Sequence, residues 1–340
     1  MKLPTAEQLQ QPDLRDFIQP SPEVPISGLA WEHFEYLKEL PFYDRETGHF
    51  FNDLRISNDI LIDVSFPELG FPLENEIVEL IIKQKWAEPA VIHQAYQAMA
   101  TYFDPKQSQW PDSLRKDGSA RNSSDFGSAK LWAALLEFEL GNQKRAKRLW
   151  KNIKADYYDP TYNLWFYKPL SKLPVVGQPL PSYILEDQLV ACLAMCAAGH
   201  PNRGAAPYDW YRMITPANSY KFVFRDNLWI MSQIDQPGFI RTQAQLLDVL
   251  LNLKLGRVDE ALVHYQALKK VGLYDEAFKL WRPSKTLGLE GGLSNNVFGL
   301  DQLLEVLILQ EFEVRGVDPH RPSPTNEDTL PDVIKYPLRD

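Results

Sequence analysis

The stretch TQAQLLDVLLNLKLG, residues 242–256, decides the architecture. Its apolar residues run round the whole helical circumference, the pattern of a helix buried on both sides. Gly256 supplies a residue that tolerates the left-handed conformation ending such a helix. With Gln245 and Gly256 as anchors, the arrangement recurs in QLVACLAMCAAG, where Gln188 and Gly199 stand 57 residues upstream. It recurs again in KLWAALLEFELG, with Lys130 and Gly141 a further 58 upstream. Downstream, QLLEVLILQEFE begins at Gln302, another 57 residues on and without the glycine, and ENEIVELIIKQKW begins at Glu74, where the register requires a copy. Self-similarity at a fixed period is the signature of a repeat architecture.

Three of these copies are followed by amphipathic segments, AEPAVIHQAYQAMATY, NQKRAKRLWKNIKADY and RVDEALVHYQALKKVG. In the last, Leu262, Tyr265 and Leu268 fall on one face and leave Asp259, Glu260, Lys269 and Lys270 to water. The repeating unit is therefore a buried inner helix, a short turn and an outer helix. An aromatic signature follows the outer helix: YDPTYNLW at 158–165 and YDEAFKLW at 274–281 are two periods apart, and FYDRETGHFF at 42–51 fits. FVFRDNLW at 222–229 is a degenerate copy. Turn formers between aromatic runs predict short hairpins.

The first hairpin is preceded by SGLAWEHFEYLKEL, an outer helix with no inner helix before it. The last inner helix, from Gln302, is followed only by a Pro-rich tail. The two half-units complement each other, so the expectation is an all-α, closed (α/α)5 toroid with short hairpins at its mouth, or an (α/α)6 toroid if an irregular segment hides a sixth pair. Residues 26–313 form this domain, with an extended arm at 1–25 and a polar, Pro-rich tail at 314–340.

A net charge of −9 without a dense basic footprint argues against nucleic-acid binding. The basic run QKRAKRLWK reads as the solvated face of an outer helix. Cys192 and Cys196, four apart on a buried helix, make neither a disulfide framework nor a zinc set, so no metal and no cofactor is called. No apolar run reaches membrane-spanning length and the N-terminus lacks a signal-like core, so a cytoplasmic protein without a membrane partner is expected, its oligomeric state open.

The loops before the inner helices are long, and long loops on a rigid scaffold carry function. The mouth is therefore the predicted pocket. The anchor position is polar in every copy: Asn75, Lys130, Gln188, Gln245 and Gln302. Glu74, Asp187 and Asp301 stand just before it, where acids also serve as helix caps. Asp248 and Glu305 lie one turn deeper, and Gln245, Asp248 and Asn252 share a helix face. That face is read as the lumen, which makes Asp248 and Glu305, on neighbouring helices, an acid/base pair. Asp125 and Asp187 are rim alternatives. Gln188, Gln245, Gln302, Arg121, Arg241, Tyr183 and His49 are candidate ligands of a small-molecule substrate. Trp165, Trp229 and Trp281 serve either as stacking platforms or as staples of their units.

FYDRETGHFF, taken with the helix pairs and aromatic hairpins, resembles the α/α-toroid carbohydrate enzymes, among them the N-acylglucosamine 2-epimerases and the unsaturated glucuronyl hydrolases. The resemblance implies a sugar-like substrate. The paired histidines of the epimerases have no counterpart here, whereas an inner-helix Asp at the mouth, as in the hydrolases, would be Asp125, Asp187 or Asp301. The reading is an enzyme performing hydrolysis, elimination or isomerisation on a polar or sugar-like molecule by carboxylate acid/base chemistry. The alternatives are a cyclase or isomerase of a hydrophobic natural product and a non-catalytic scaffold.

Overall fold

A computed structural model describes residues 28–321 apart from 42, 46–48, 51–52, 58–59, 64–70, 88, 102–112, 115–119, 122–126, 162, 167–183, 214–219, 226, 234–237 and 287–292. Among the described residues there are ten helices: α1 (Leu29–Glu39), α2 (Leu73–Lys83), α3 (Pro89–Ala100), α4 (Gly127–Glu139), α5 (Gln143–Tyr157), α6 (Leu185–Ala197), α7 (Pro201–Met213), α8 (Thr242–Lys254), α9 (Val258–Lys270) and α10 (Gly299–Val314). None is long and apolar enough to cross a membrane. The expected arm at 1–25 and the tail from 322 onwards lie outside the described residues. The tail's first part runs beside α9, where Arg321 meets Asp259 at 3.0 Å.

The even-numbered helices are buried almost throughout, as their all-round apolar sequences require. They pack in the order α2, α4, α6, α8, α10, and α10 returns to α2. Each carries an odd-numbered helix on its outside: α3 on α2, α5 on α4, α7 on α6, α9 on α8 and α1 on α10. The first described helix thus covers the last, and the Ala30 N–H donates to Glu313 Oε1 at 3.0 Å. Gly141, Gly199 and Gly256 end α4, α6 and α8 with φ of 75°, 78° and 76°, which turns each chain back into its outer helix. Gly204 in α7 is required for a different reason: a Cβ there would stand 2.7 Å from Cys196 Sγ and 2.8 Å from the Cys192 carbonyl, so α7 reaches α6 only without one.

The expectation of an all-α chain needs one correction, because the described strands form six small sheets. Three hairpins are as short as expected, at 43–50, 158–165 and 274–281. The fourth pairs Tyr220–Arg225 with Leu228–Gln233 over six residues and continues through Phe239–Arg241 to Ser284–Thr286. The aromatic motif marks only its tip, and the alternation of YKFVFR and LWIMSQ carries the rest. A further hairpin, Asp53–Ser57 with Ile60–Asp63, is joined by Asn296–Phe298, which ties the start of the chain to the segment entering α10.

The repeated polar anchor holds each hairpin to its inner helix. Gln188 accepts from the Trp165 N–H at 2.7 Å and donates to the Trp165 carbonyl at 2.8 Å. Gln245 does the same at Trp229 (2.9 and 2.6 Å) and Gln302 at Trp281 (2.9 and 3.0 Å). A planar amide satisfies both polar groups of one buried backbone residue, which a shorter or apolar side chain cannot do. Just before each Leu-Trp pair, Asn163, Asn227 and Lys279 take φ of 54°, 59° and 51° to form the turn. Replacing Gln245 by Ala strands the Trp229 N–H and carbonyl in the core. The expected loss is about 2–4 kcal/mol of stability, read as a lower urea midpoint at unchanged m; an unchanged midpoint would remove the clamp from the account.

Candidate functional site

The two acids offered by periodicity, Asp248 and Glu305, are fully buried and turn towards the outer helices. Asp248 receives the Trp229 indole N–H at 2.8 Å and the Asn252 amide at 3.0 Å, and its Oδ2 lies 2.6 Å from His264 Nδ1 on α9. Arg212 of α7 stands 3.6 Å away. Glu305 receives the Tyr265 hydroxyl of α9 at 2.7 Å and pairs with His33 of α1 at 3.1 Å. Burial alone would raise both carboxyls; His264 and His33, with the hydrogen bonds, override it and hold them below the ordinary range. Although α8 and α10 touch, these carboxylates have separate partner sets and do not form the expected pair across the lumen. The stripe Gln245–Asp248–Asn252 faces hairpin and outer layer.

The candidate site assembles instead at the N-terminal ends of the inner helices. Glu74 opens α2, Ser128 α4, Glu186 and Asp187 α6, and Asp301 α10, while Arg241 immediately precedes α8. Arg241 Nη1 lies 3.1 Å from Glu186 Oε1, and Ser128 Oγ is 3.5 Å from Glu74 Oε1. Asp187 is pushed well up by burial, then by the charges of Glu186 and Glu74, against a hydrogen bond from Ser128 and the pull of Arg241. Asp301 is pushed up to about 8 by burial, opposed by Arg241 and reinforced by Glu186. Glu186 and Asp187 thus stand in the first turn of α6 and Asp301 in that of α10. Glu186 Oε2, Asp187 Oδ2 and Asp301 Oδ2 are buried without a hydrogen-bond partner. Buried polar atoms are nearly always satisfied, so unsatisfied oxygens on three acids at the N-terminal ends of α6 and α10 call for an explanation.

Of the other expected residues, Arg241 and Asp187 belong to this cluster. Gln188, Gln245 and Gln302 are consumed by the hairpin clamps, and Trp165, Trp229 and Trp281 are at most 2% exposed, so they act as staples and offer no open face for stacking. Backbone alone is described for His49, which pairs with Asp44, and for Arg121, which pairs with Ser113. Asp125 and Tyr183 lie outside the described residues. The sequence does not single out Glu186, and it leaves Asp301 open between a cap and an inner-helix acid at the mouth, because a capping acid and a functional acid look alike at a helix start. The recoverable signal was repetition: acids at the same end of three buried inner helices.

Two substitutions separate the roles of these acids. Asp248→Asn leaves His264 and Arg212 without their anion in the core and is expected to cost about 3–5 kcal/mol, measured by denaturant unfolding. A neutral result would return Asp248 to the list of solvent-facing groups. Asp301 behaves oppositely: its raised folded-state value means its favourable contribution is full below the unfolded value and is lost as pH rises from about 4 to 8. Asp301→Asn, which mimics the protonated acid, is expected to raise Tm at pH 8 by about 2 °C or more, with the gain vanishing near pH 4. Parallel Tm curves for the two proteins would mean that Asp301 titrates normally.

No family model matches the sequence, and no curated protein matches it. Among solved structures, the fold is similar to cellobiose 2-epimerase from Bacillus thermoamylovorans B4167, with a TM-score of 0.51 at 13% identity over 78% of this chain and 77% of that one. Cellobiose 2-epimerase from Spirochaeta thermophila DSM 6192 gives 0.49 at 11%, over 85% and 97%. Rex8A from Paenibacillus barcinonensis complexed with xylose gives 0.49 at 10%, over 86% and 93%. At such identities the likeness is one of fold, and in fold this chain is similar to the α/α-toroid carbohydrate-active enzymes.

Proposed function

We propose that the chain is a closed (α/α)5 toroid and a carbohydrate-active enzyme that works at the axial acid cluster. The observation that carries this reading is the set of buried acids with unsatisfied oxygens at the N-terminal ends of α6 and α10, Glu186, Asp187 and Asp301, with Arg241 3.1 Å from Glu186. The likeness in fold to a cellobiose 2-epimerase supports a sugar as the substrate. A polar axis with several carboxyls fits a hydroxyl-rich ligand and suits a hydrophobic cyclisation substrate poorly.

Hydrolysis, elimination and isomerisation of a sugar all need one group that delivers a proton and another that removes one or carries negative charge. The environment divides the acids along those lines. Asp301, held protonated at neutral pH by burial and the charge of Glu186, is the proton donor. Asp187, raised by burial and then by the charges of Glu186 and Glu74, is a second candidate donor. Glu186, ion-paired with Arg241, is the base or the charge that stabilises a cationic transition state. No cofactor enters this chemistry.

Turnover of a panel of reducing mono- and disaccharides by the purified chain is the direct test. With a substrate in hand, Glu186→Gln and Asp301→Asn are each expected to lower kcat by about 10²–10⁴-fold while the protein still melts cooperatively. kcat/KM is expected to fall as pH rises through about 8, where Asp301 gives up its proton. Full activity in either variant, or a flat profile between pH 6 and 9, would remove the cluster as the catalytic centre.

A further inference from the structure

We propose that the outer wall formed by α3 and α5 docks on an anionic lipid surface. The run from Gly141 to Ala155 holds six cations, Lys144, Arg145, Lys147, Arg148, Lys151 and Lys154, and no acid. Arg145 is held by Glu137 at 3.2 Å and by the Tyr96 hydroxyl of α3 at 2.8 Å, which joins the two outer helices. The other five are exposed. One residue advances a helix by about 100° and 1.5 Å, so these five fall within about 120° of its circumference and along about 15 Å of its length. Lys144, Lys147, Arg148 and Lys151 form no ion pair or side-chain hydrogen bond with a described residue, and Lys154 lies over the Tyr158 ring at 4.8 Å. Like charges three and four residues apart repel on a helix surface. Folding alone gives no reason to keep Lys144 beside Arg148 and Lys147 beside Lys151.

The surroundings of the ridge define its partner. The helix α3 contains no Asp, Glu, Lys or Arg, and its exposed side is made of Val91, Gln94, Ala95, Gln97 and Ala98, with Val91 52% exposed. A basic ridge beside an uncharged face suits a broad negative surface, which an acid on α3 would repel. The exposed acids Glu32, Glu39, Asp259 and Glu260 stand instead on α1 and α9, which cover α10 and α8. A helix is about 10 Å across and salt screens exposed charges beyond about 8 Å, so the net charge of −9 does not cancel attraction at α5. The apolar side of α5 is spent on the ring: Ala146, Leu149, Ile153 and Tyr157 are buried, and Trp150 packs on Trp165 at 4.9 Å. The helix therefore has no apolar face to insert among acyl chains and no open ring on which a nucleic-acid base could stack. What remains is the attraction of lysine and arginine to anionic headgroups, each cation adding about fivefold to the partition. The contact is electrostatic and reversible, and it is separate from the reaction proposed above.

The test sediments the full chain with vesicles of phosphatidylcholine alone and of phosphatidylcholine with about 30% phosphatidylserine. Retention is expected on the anionic vesicles only, falling at least tenfold as salt is raised from about 0.05 to 0.5 M. The triple variant Lys144→Gln, Lys147→Gln, Lys151→Gln is expected to lower the partition about 100-fold, with Tm unchanged because these side chains have no partners to lose. A charge-matched control on other elements, Lys38→Gln, Lys270→Gln, Lys279→Gln, is expected to stay within about threefold of the unaltered chain. If the ridge triple fails to melt cooperatively, Lys147→Gln with Lys151→Gln takes its place, with an expected loss of about 25-fold. No retention on anionic vesicles, equal retention on both kinds, or an equal loss in the control would each overturn the inference. So would a DNA duplex or polyglutamate held as tightly as the anionic vesicles, which would make the ridge a contact for dissolved polyanions. None of these results touches the carbohydrate reading, which turnover tests separately.

Discussion

The ring depends on one recurring contact, a carboxylate buried on an inner helix and gripped from two outer helices at once. Asp248 on α8 lies against Tyr208 of the preceding outer helix and His264 of its own. Glu305 on α10 accepts from Tyr265 of the preceding outer helix and pairs with His33 of α1. Glu137 on α4, one turn deeper, accepts from Tyr96 of α3 at 2.9 Å and pairs with Arg145 of α5 at 3.2 Å. Apolar packing between helices is nearly indifferent to small rotations and slides. A buried acid with a hydroxyl on one side and a basic side chain on the other is not, because each oxygen left unmatched costs a desolvated charge. The clasp therefore fixes the angular step from one unit to the next. In the last described unit its basic arm comes from α1, so His33 and Glu305 hold the seam between α1 and α10.

The opposite end of the inner helices is held in the same spirit. Lys254 of α8 reaches Glu139 of α4 at 3.1 Å and Glu311 of α10 at 3.3 Å, while Lys85, just past α2, reaches Glu311 at 2.6 Å. Four inner helices are thus pinned to a common network where their C-termini gather. Glu311 is held far below the usual range: burial opposes the shift, and Lys254, Lys85 and Arg315 overcome it. At the N-terminal end, by contrast, Asp187 and Asp301 are buried with an oxygen that no described donor reaches, which sets them apart from the charges that hold the inner helices together.

Much of the plan was legible in the sequence because it repeats. A 57–58-residue period, glycines at the helix ends and two complementary half-units anticipate the described helices and the packing of α1 on α10. Direction within a helix was not legible. Hydropathy says that α8 is buried on all sides; it cannot say which side meets the outer layer and which the axis. A stripe of Gln245, Asp248 and Asn252 looks the same in either place, and it took the positions of His264, Tyr208 and Trp229 to settle that it faces outward. The long sheet at 220–241 was obscured for a related reason: the recurring Leu-Trp motif drew notice to its tip, while its pairing with 284–286 joins segments over forty residues apart.

The acids of α6 and α10 show how a local rule acquires a different meaning in a ring. On an isolated helix, an acid in the first turn is favoured by unpaired N–H groups and the macrodipole, and it remains ionised. Among the described residues, packed inner helices bring several such positive ends close together, so acids can gather there at a density that no single helix would support. Burial and mutual repulsion then work against the dipoles, and for Asp187 and Asp301 they prevail. Helix termini strong enough to concentrate carboxyls, and an interior dry enough to hold some of them protonated, thus give the capping positions of the repeat a chemistry that they lack on an isolated helix.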